Sequence, residues 1–182
     1  MNNYVFLADG FEEIEALATV DVMRRAGMEV TTVSINPTTE VTGAHGVKVV
    51  ADTTIDKINA TDADWLILPG GMPGATNLRQ CRPLCDALLK HNEKEGHIAA
   101  ICASPTIVLA TLGLLQNREA TCYPGMQNHD CGVNWSDAMV VTDGHIVTGR
   151  GPAAACDFAL TIVAHTCDPE TADEVAEGML LE

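Results

Sequence analysis

Short apolar runs alternate with longer amphipathic segments along this chain. A two-residue turn, Asp143-Gly144, separates the runs 139–142 and 145–148 and predicts a hairpin. Residues 36–51 are rich in turn residues and predict turns with a second short hairpin. Four further runs are typical of buried strands: 4–8, 29–35, 65–68 and 98–101.

Helical spacing, or a helix start or stop signal, marks the segments between these runs. Five helices are expected, over residues 11–27, 78–95, 105–112, 153–166 and 169–179. Gly27 is expected to end the first helix, and Pro105 is expected to begin the third. In the first helix, five apolar residues are expected to face the core: Ile14, Leu17, Ala18, Val22 and Met23.

The order of these elements predicts the fold class. Strand and helix alternate at least three times, which favours a single α/β domain over residues 1–182, with a mostly parallel sheet and helices on both faces. Ligands of such sheets bind at the carboxyl ends of the strands. Here those ends carry Asp9-Gly10, Pro69-Gly70-Gly71, Cys102 and Arg150-Gly151.

Composition and charge narrow the class of protein. Apolar residues make up 47% of the chain and aromatic residues only 4%, so the core is expected to be built mainly from small aliphatic side chains. The net charge of −15 disfavours binding to nucleic acid or to an anionic membrane. The seven cysteines show no disulfide framework or metal-ligand spacing, and no basic leader opens the chain. We therefore expect reduced thiols, a cytoplasmic location and no metal site.

Cys102 is the leading candidate for chemistry. It lies on the turn between the apolar strand 98–101 and the helix that begins at Pro105. Unpaired N–H groups at a helix N-terminus favour a thiolate, so the sequence predicts a reactive cysteine. The alternative is a small buried hydrophobe, which is what most free cysteines are.

Glu15 is the candidate partner of Cys102. It lies at the apolar boundary of the first helix, so its side chain could point inward toward the sulfur. A carboxyl group held there would have a raised pKa and could transfer a proton. The alternative is an acidic residue in a first helical turn, where acids are favoured in any case.

Four segments together resemble the ThiJ/PfpI superfamily: ADGFEEIEALATVDVMRRAG, LPGG, AAICASP and GRGPAAACDFAL. The resemblance covers nearly the whole chain. It is strongest to the branch that contains the parkinsonism-associated protein deglycase and its bacterial relatives. It implies a flavodoxin-like three-layer sandwich, a homodimer, and a nucleophilic, oxidation-prone Cys102 beside a protonated Glu15. It also implies that no cofactor is needed.

The resemblance also assigns residues around the sulfur. Backbone N–H groups of Gly71 and Ala103 would face an oxyanion, with Gly70 beside them. Arg25 and Arg150 occupy basic positions near the family's pocket and dimer surface.

Three positions depart from the family pattern. Tyr123-Pro124 stands where relatives often have His-Pro, and His45 stands where they often have arginine. Tyrosine is a poor base at neutral pH, so His45 or His129 could assist Cys102 instead. Ala103 stands where peptidases of the superfamily have histidine, which disfavours peptide hydrolysis.

Two functions follow from this pattern. The first is an enzyme of deglycase or glyoxalase type, in which Cys102 attacks small-molecule aldehydes or glycated side chains and Glu15 transfers the proton. The second is a non-enzymatic redox sensor or chaperone-like protein in which Cys102 is oxidised. A cysteine peptidase is a third, weaker reading.

Overall fold

A seven-stranded sheet organises the protein. The structure is a computed structural model that describes residues 2–181. The strands are β1 (Asn2–Leu7), β2 (Val30–Ser34), β3 (Glu40–Thr42), β4 (Lys48–Val50), β5 (Thr53–Thr54), β6 (Ala63–Leu68), β7 (His97–Ile101), β8 (Glu119–Ala120), β9 (Asn134–Trp135), β10 (Val140–Asp143) and β11 (Ile146–Gly149). The main sheet has the order β10-β11-β7-β6-β1-β2-β5, and only β10 runs antiparallel to its neighbour.

Helices cover both faces of this sheet. They are α1 (Glu13–Arg25), α2 (Gly74–Gln80), α3 (Arg82–Glu93), α4 (Ala155–Thr166) and α5 (Pro169–Gly178). Alternate residues of β1 enter two separate cores. Val5 and Leu7 pack with α1 and α4, whereas Tyr4 and Phe6 pack with α2, α3 and the segment after β7. The predicted three-layer α/β sandwich, with its four buried strands and two hairpins, is therefore confirmed.

The predicted helix over residues 78–95 is wrong in one respect, because it is two helices. Cys81 lies between α2 and α3 in an extended conformation, with φ −74° and ψ 95°. Pro83 is the second residue of α3. A proline inside one continuous helix would lack a donor and would clash with the carbonyl four residues earlier, so the chain starts a new helix there.

The predicted core face of α1 is also partly wrong. Ile14 and Leu17 are 58% and 40% exposed, whereas Glu15 is fully buried. Val22 and Met23 are buried as expected. Relative to the predicted orientation, α1 is rotated about its axis, so that the Glu15 carboxyl group rather than the Ile14 side chain is buried.

Within residues 2–181, none of the helices is long and apolar enough to cross a membrane.

Candidate active site around Cys102 and Glu15

Cys102 occupies a strained turn directly after β7. Its φ of 65° is in the left-handed region, which is uncommon for a residue with a side chain. Two main-chain hydrogen bonds hold it there. The Cys102 N–H donates to Gly149 O at 2.8 Å, and the Tyr123 N–H donates to Cys102 O at 2.8 Å. Strain of this kind persists only where the surroundings fix it, and it is common at reactive residues.

The helix that follows Cys102 is not the regular α-helix that the sequence predicts. Pro105–Leu109 forms a π-helical turn, and Ala110–Leu112 continues as a 3₁₀ turn. Pro105 is the first residue of this segment, as expected. The buried Ser104 hydroxyl donates to Pro69 O at 2.5 Å and ties this turn to the loop after β6. Single π turns of this kind occur often at functional sites.

Glu15 reaches the same region from the first turn of α1. Its Oε2 atom accepts a hydrogen bond from the Gly70 N–H at 2.7 Å. Its Oε1 atom is buried without a conventional hydrogen bond to any other described residue. The carboxyl group also interacts with the Cys102 thiol. Glu12, the N-cap of α1, accepts from the Glu15 N–H at 2.8 Å and so fixes where this turn begins.

Gly70 and Gly71, in the loop after β6, allow Glu15 and Cys102 to approach each other closely. A Cβ atom on Gly70 would lie 2.6 Å from Cys102 Cβ and 2.7 Å from Glu15 Oε2. Gly71 has a φ of +89°, and a Cβ atom there would lie 2.4 Å from the Glu12 nitrogen. Only glycines therefore allow β6, α1 and the Cys102 turn to converge.

The ionisation of the pair differs from the sequence prediction of a stabilised thiolate. Burial raises the pKa of Glu15 to about 7. Burial and the neighbouring Glu15 carboxylate raise the pKa of Cys102 to about 12. Backbone N–H groups of Gly71 and Ala103 face the sulfur and lower this pKa, but by less. The prediction of a lowered thiol pKa was wrong because the sequence does not reveal the cost of burying the sulfur next to a carboxylate.

Tyr123 and Arg150 lie on the other flank of the Cys102 turn. Together with Met139, Gly151 and nearby residues they line a cavity of about 220 Å³. The Arg150 guanidinium donates to the carbonyl oxygen of Asp137 and pairs with its carboxylate at 3.1 Å. These two predicted pocket residues therefore do border a cavity.

His45 lies in the β3–β4 hairpin, next to the start of α1, and Glu13 binds it there. Its ring Nδ1 is 2.7 Å from Glu13 Oε2, and its backbone N–H donates to Glu13 Oε1 at 2.7 Å. This contact connects the β3–β4 hairpin to α1. His45 therefore acts in the structure as a link between elements, with its imidazole committed to Glu13 rather than to the sulfur.

Two other predicted residues lie elsewhere. Arg25 pairs with Asp21 on the exposed face of α1. It is ten residues from Glu15, or about 15 Å along the helix axis, so within this chain it does not lie beside the sulfur. Its expected place at a dimer surface stays a prediction. His129 is exposed in a 3₁₀ turn of the loop before β9.

One group of potential metal ligands comes together within the described residues. Ligand atoms of Glu12, Glu13 and His45 lie within 4.8 Å of one another. Glu12 already caps α1, and Glu13 already accepts from the hairpin. Their oxygens therefore serve the protein's own hydrogen bonds. The sequence does not single out Glu12 or Ser104, because glutamate is not among the residues usually preferred at an N-cap and a small residue after a cysteine carries no signal of its own.

Comparisons with known proteins agree with this geometry. A sequence model of the DJ-1/PfpI family matches residues 1–165. Protein DJ-1 homolog B of Arabidopsis thaliana is 37% identical over 177 residues, which are 96% of this chain but only 40% of that protein. The chain therefore spans less than half the length of this relative.

Two further proteins match over most of both chains. The glutathione-independent glyoxalase DJR-1.2 of Caenorhabditis elegans is 35% identical over 173 residues, which cover 93% of this chain and 90% of the relative. The structure of oxidised Toxoplasma gondii DJ-1 superposes with a TM-score of 0.92 at 37% identity, covering 98% of this chain and 97% of that one. The resemblance stated from the sequence is thereby confirmed.

Proposed function

The chain belongs to the DJ-1/PfpI family, and from this membership we propose that it is a cofactor-independent cysteine enzyme that converts 2-oxoaldehydes such as methylglyoxal to 2-hydroxy acids. The observation that carries the proposal is the buried Cys102–Glu15 pair, in which the carboxyl group has a pKa of about 7. A relative named as a glyoxalase supports this choice of reaction.

In the first step, Glu15 acts as the base. Above pH 7 its carboxylate accepts the proton of the Cys102 thiol while the sulfur attacks the aldehyde carbon. Glu15 then gives this proton to the new alkoxide oxygen, which completes the hemithioacetal and restores the carboxylate. A pKa near the working pH suits a group that must both accept and release a proton. This mechanism does not need a preformed thiolate, which agrees with the raised pKa of Cys102.

In the second step, a proton moves between two carbons of the substrate. Glu15 would remove the hydrogen of the former aldehyde carbon and return it to the neighbouring keto carbon, while the hydroxyl proton of the hemithioacetal moves to the former keto oxygen. The product is a thioester of the hydroxy acid. Water would then hydrolyse the thioester and restore the thiol. Backbone N–H groups of Gly71 and Ala103 would stabilise the negative oxygen that develops in each addition.

The test is lactate formation from methylglyoxal by the wild-type protein and by Glu15→Gln. Glutamine fills the same space but cannot transfer a proton, so we expect kcat to fall by at least about 100-fold. Cys167→Ser is the control, because Cys167 is an exposed free cysteine away from the site. Equal turnover by the wild type and Glu15→Gln would rule out this mechanism.

The same assay can separate free aldehydes from protein adducts. Methylglyoxal adducts of N-acetylarginine would replace the free dicarbonyl as substrate, and release of the unmodified amino acid would be measured. Release of the amino acid faster than spontaneous dissociation of the adduct would identify a deglycase. Release no faster than that dissociation would identify a glyoxalase, which consumes only the free dicarbonyl.

A redox-sensing role is the second candidate. The observation that favours it is that the sulfur lies among the Gly71 and Ala103 N–H groups and the Glu15 carboxyl, all of which could hold a cysteine sulfinate. Mass spectrometry after mild peroxide treatment tests this. Selective addition of two oxygens to Cys102, without any turnover of dicarbonyls, would favour the sensor over the enzyme.

We also propose a homodimer, because apolar side chains are exposed around the start of α1. Ile14 and Leu17 lie on α1, and Val47 and Val50 belong to the hairpin that packs on it, with exposures of 40% to 75%. A double substitution, Ile14→Glu with Leu17→Glu, should convert a dimer into a monomer in light scattering. The exposed Leu89→Glu on α3 is the control, and a monomeric wild type would contradict the proposal.

A further inference from the structure

Two peptide groups in the loop after β6 point toward the two members of the Cys102–Glu15 pair. The first lies between Pro69 and Gly70, and its N–H donates to Glu15 Oε2 at 2.7 Å. The second lies between Gly70 and Gly71, and its N–H faces the Cys102 sulfur. The direction of each N–H therefore determines how the carboxyl group and the sulfur are held.

The carbonyl oxygen of each of these peptide groups also has a partner. Pro69 O accepts from the Ser104 hydroxyl at 2.5 Å, and Gly70 O accepts from the Glu12 N–H at 3.0 Å. Both peptide bonds are trans. A trans peptide is planar and its C=O and N–H point in opposite directions, so a partner on the oxygen also fixes the direction of the N–H. Ser104 thus orients the N–H that binds Glu15, and Glu12 orients the N–H that faces the sulfur.

The bond from Ser104 is made in a dry environment. Ser104 and Glu15 are both fully buried, so water does not compete for the hydroxyl or for the carboxyl group. Hydrogen bonds that follow one another in such an interior polarise each other. A donor on Pro69 O therefore makes the Gly70 N–H a stronger donor to Glu15. Without the hydroxyl, this peptide group would be both less polarised and free to turn.

We propose that Ser104 is a positioning residue, which acts through the Pro69–Gly70 peptide group to hold the Glu15 carboxyl group beside Cys102. Ser104 bonds to the loop and does not itself bond to the carboxyl group or the sulfur. The inference rests on the proposed function, because it assigns a support to the residue proposed as the base.

The effect of losing this support has a definite sign. Burial raises the pKa of Glu15 to about 7, whereas hydrogen bonds from the Cys102 thiol and the Gly70 N–H stabilise the carboxylate and lower this pKa. The negative charge of Glu12 also acts on Glu15, and a substitution at Ser104 leaves that charge in place. A weaker bond from Gly70 should therefore raise the pKa of Glu15 further.

The first test titrates Glu15 directly and does not require turnover. Carbon-13 NMR follows the glutamate carboxyl signals against pH, and the Glu15 signal is assigned by its absence in Glu15→Gln. In Ser104→Ala the midpoint of this signal should rise by at least about half a pH unit. Ser104→Thr keeps a hydroxyl and should return the midpoint to the wild-type value. An unchanged midpoint in Ser104→Ala would overturn the proposal.

Ser34→Ala is the matched control for the loss of a buried hydroxyl. Ser34 is also fully buried, and its hydroxyl donates to Thr38 O at 2.7 Å, which closes a turn after β2. Both alanine variants should lose stability in urea, but only Ser104→Ala should shift the Glu15 midpoint. Equal shifts in the two variants would reveal a general effect of lost stability and would overturn the positioning role.

Turnover of methylglyoxal separates this inference from the proposed function. In Ser104→Ala, kcat should fall at least about fivefold while KM stays within about twofold, since substrate still binds but its base is misplaced. A shifted Glu15 midpoint without turnover by the wild type would overturn the glyoxalase reaction and keep the role of Ser104. Turnover by the wild type, with the same midpoint in Ser104→Ala, would overturn the role of Ser104 alone.

Discussion

At the scale of single residues, the protein depends on two buried titratable groups that share one site. Glu15 is fully buried and Cys102 is 8% exposed, so each group is poorly solvated and each responds to the charge of the other. Such a pair loses its protons in steps that belong to both groups together. As a result, the carboxyl group titrates near neutral pH, and the thiol depends on the carboxylate to accept its proton.

Removing the Glu15 charge should lower the pKa of Cys102. In Glu15→Gln the neighbouring negative charge is gone, so the thiolate becomes easier to form. The rate of iodoacetamide alkylation at Cys102, followed against pH, should therefore reach its midpoint at a lower pH than in the wild type. Glu15→Asp, which keeps the charge, is the control. A midpoint that rises in Glu15→Gln would contradict the described coupling.

The same substitution should change how stability depends on pH. The folded protein raises the pKa of Glu15 from about 4.5 to about 7, so the contribution of this group to stability is complete below pH 4.5 and is lost as the pH rises through 7. The free energy of unfolding of Glu15→Gln, relative to wild type, should therefore increase between pH 4.5 and pH 8. Urea titrations at several pH values measure this difference, and a flat difference would contradict the burial of the carboxyl group.

Gly70 should not tolerate a side chain. Alanine there would place a Cβ atom 2.6 Å from Cys102 Cβ, and overpacking of this kind costs about 1–3 kcal/mol. We expect Gly70→Ala to lower the free energy of unfolding by that amount and to slow alkylation of Cys102. Gly178→Ala is the matched control, because a Cβ atom there would meet nothing within 4 Å. Equal stability of the two variants would contradict the close approach.

At the scale of elements, the β3–β4 hairpin is attached to α1 through one side-chain pair and main-chain hydrogen bonds. Ala44 donates its N–H to Phe11 O at 2.7 Å, and Glu13 accepts from His45. Burial alone would raise the pKa of Glu13, but the His45 hydrogen bonds lower it below its ordinary value. The hydrogen bond to Glu13 and the charge of its carboxylate in turn raise the pKa of His45.

Loss of the Glu13 carboxylate should therefore lower the pKa of His45. NMR titration of the imidazole should give a raised pKa in the wild type and a lower pKa in Glu13→Gln. Because the folded-state pKa is raised, this contact contributes fully to stability below pH 6.5 and is lost as the pH rises through the folded value. His129, exposed in its own turn, serves as the internal control. Identical titration of His45 in both proteins would contradict the contact.

At the scale of the whole molecule, the two ends of the sheet differ in chemistry. Cys102 and Glu15 lie at the carboxyl ends of the strands, whereas the opposite end carries several histidines, two of which contact Trp65. The His97 ring stacks on Trp65 with ring centres 4.6 Å apart, and His165 meets its edge at 6.4 Å. Burial lowers the pKa of three histidines there, and repulsion from neighbouring histidines and other basic groups adds to this effect: His91, His97 and His145.

This histidine cluster should make the protein sensitive to mild acid. Because the folded-state pKa values are lowered, the unfolded chain binds protons first, and stability is lost as the pH falls below about 6.5. His97→Phe keeps a ring stacked on Trp65 but removes one titrating group, so the decline in urea midpoint from pH 7 to pH 5 should become shallower. His129→Gln is the control outside the cluster. An unchanged pH dependence in His97→Phe would contradict the described coupling.

Much of the fold was determined by local features that the sequence displays. The four buried strands are apolar runs, the β10–β11 hairpin turns beyond Asp143, and α5 begins at Pro169 after the capping residue Asp168. These features act over a few residues, so the sequence alone was enough to predict them. The position of Cys102 at the end of β7 also followed from a local pattern, a strand followed by small residues and a proline.

Only the tertiary structure decided the features that depend on contacts between distant segments. It set the rotation of α1 that buries Glu15 and exposes Ile14, and it placed Arg25 far from the sulfur. It also set the direction of the Cys102 pKa, because desolvation and the nearby carboxylate outweigh the backbone N–H groups that the sequence suggested. Burial and charge pairing arise when elements pack together, and a local pattern in the sequence does not contain the distances on which they depend.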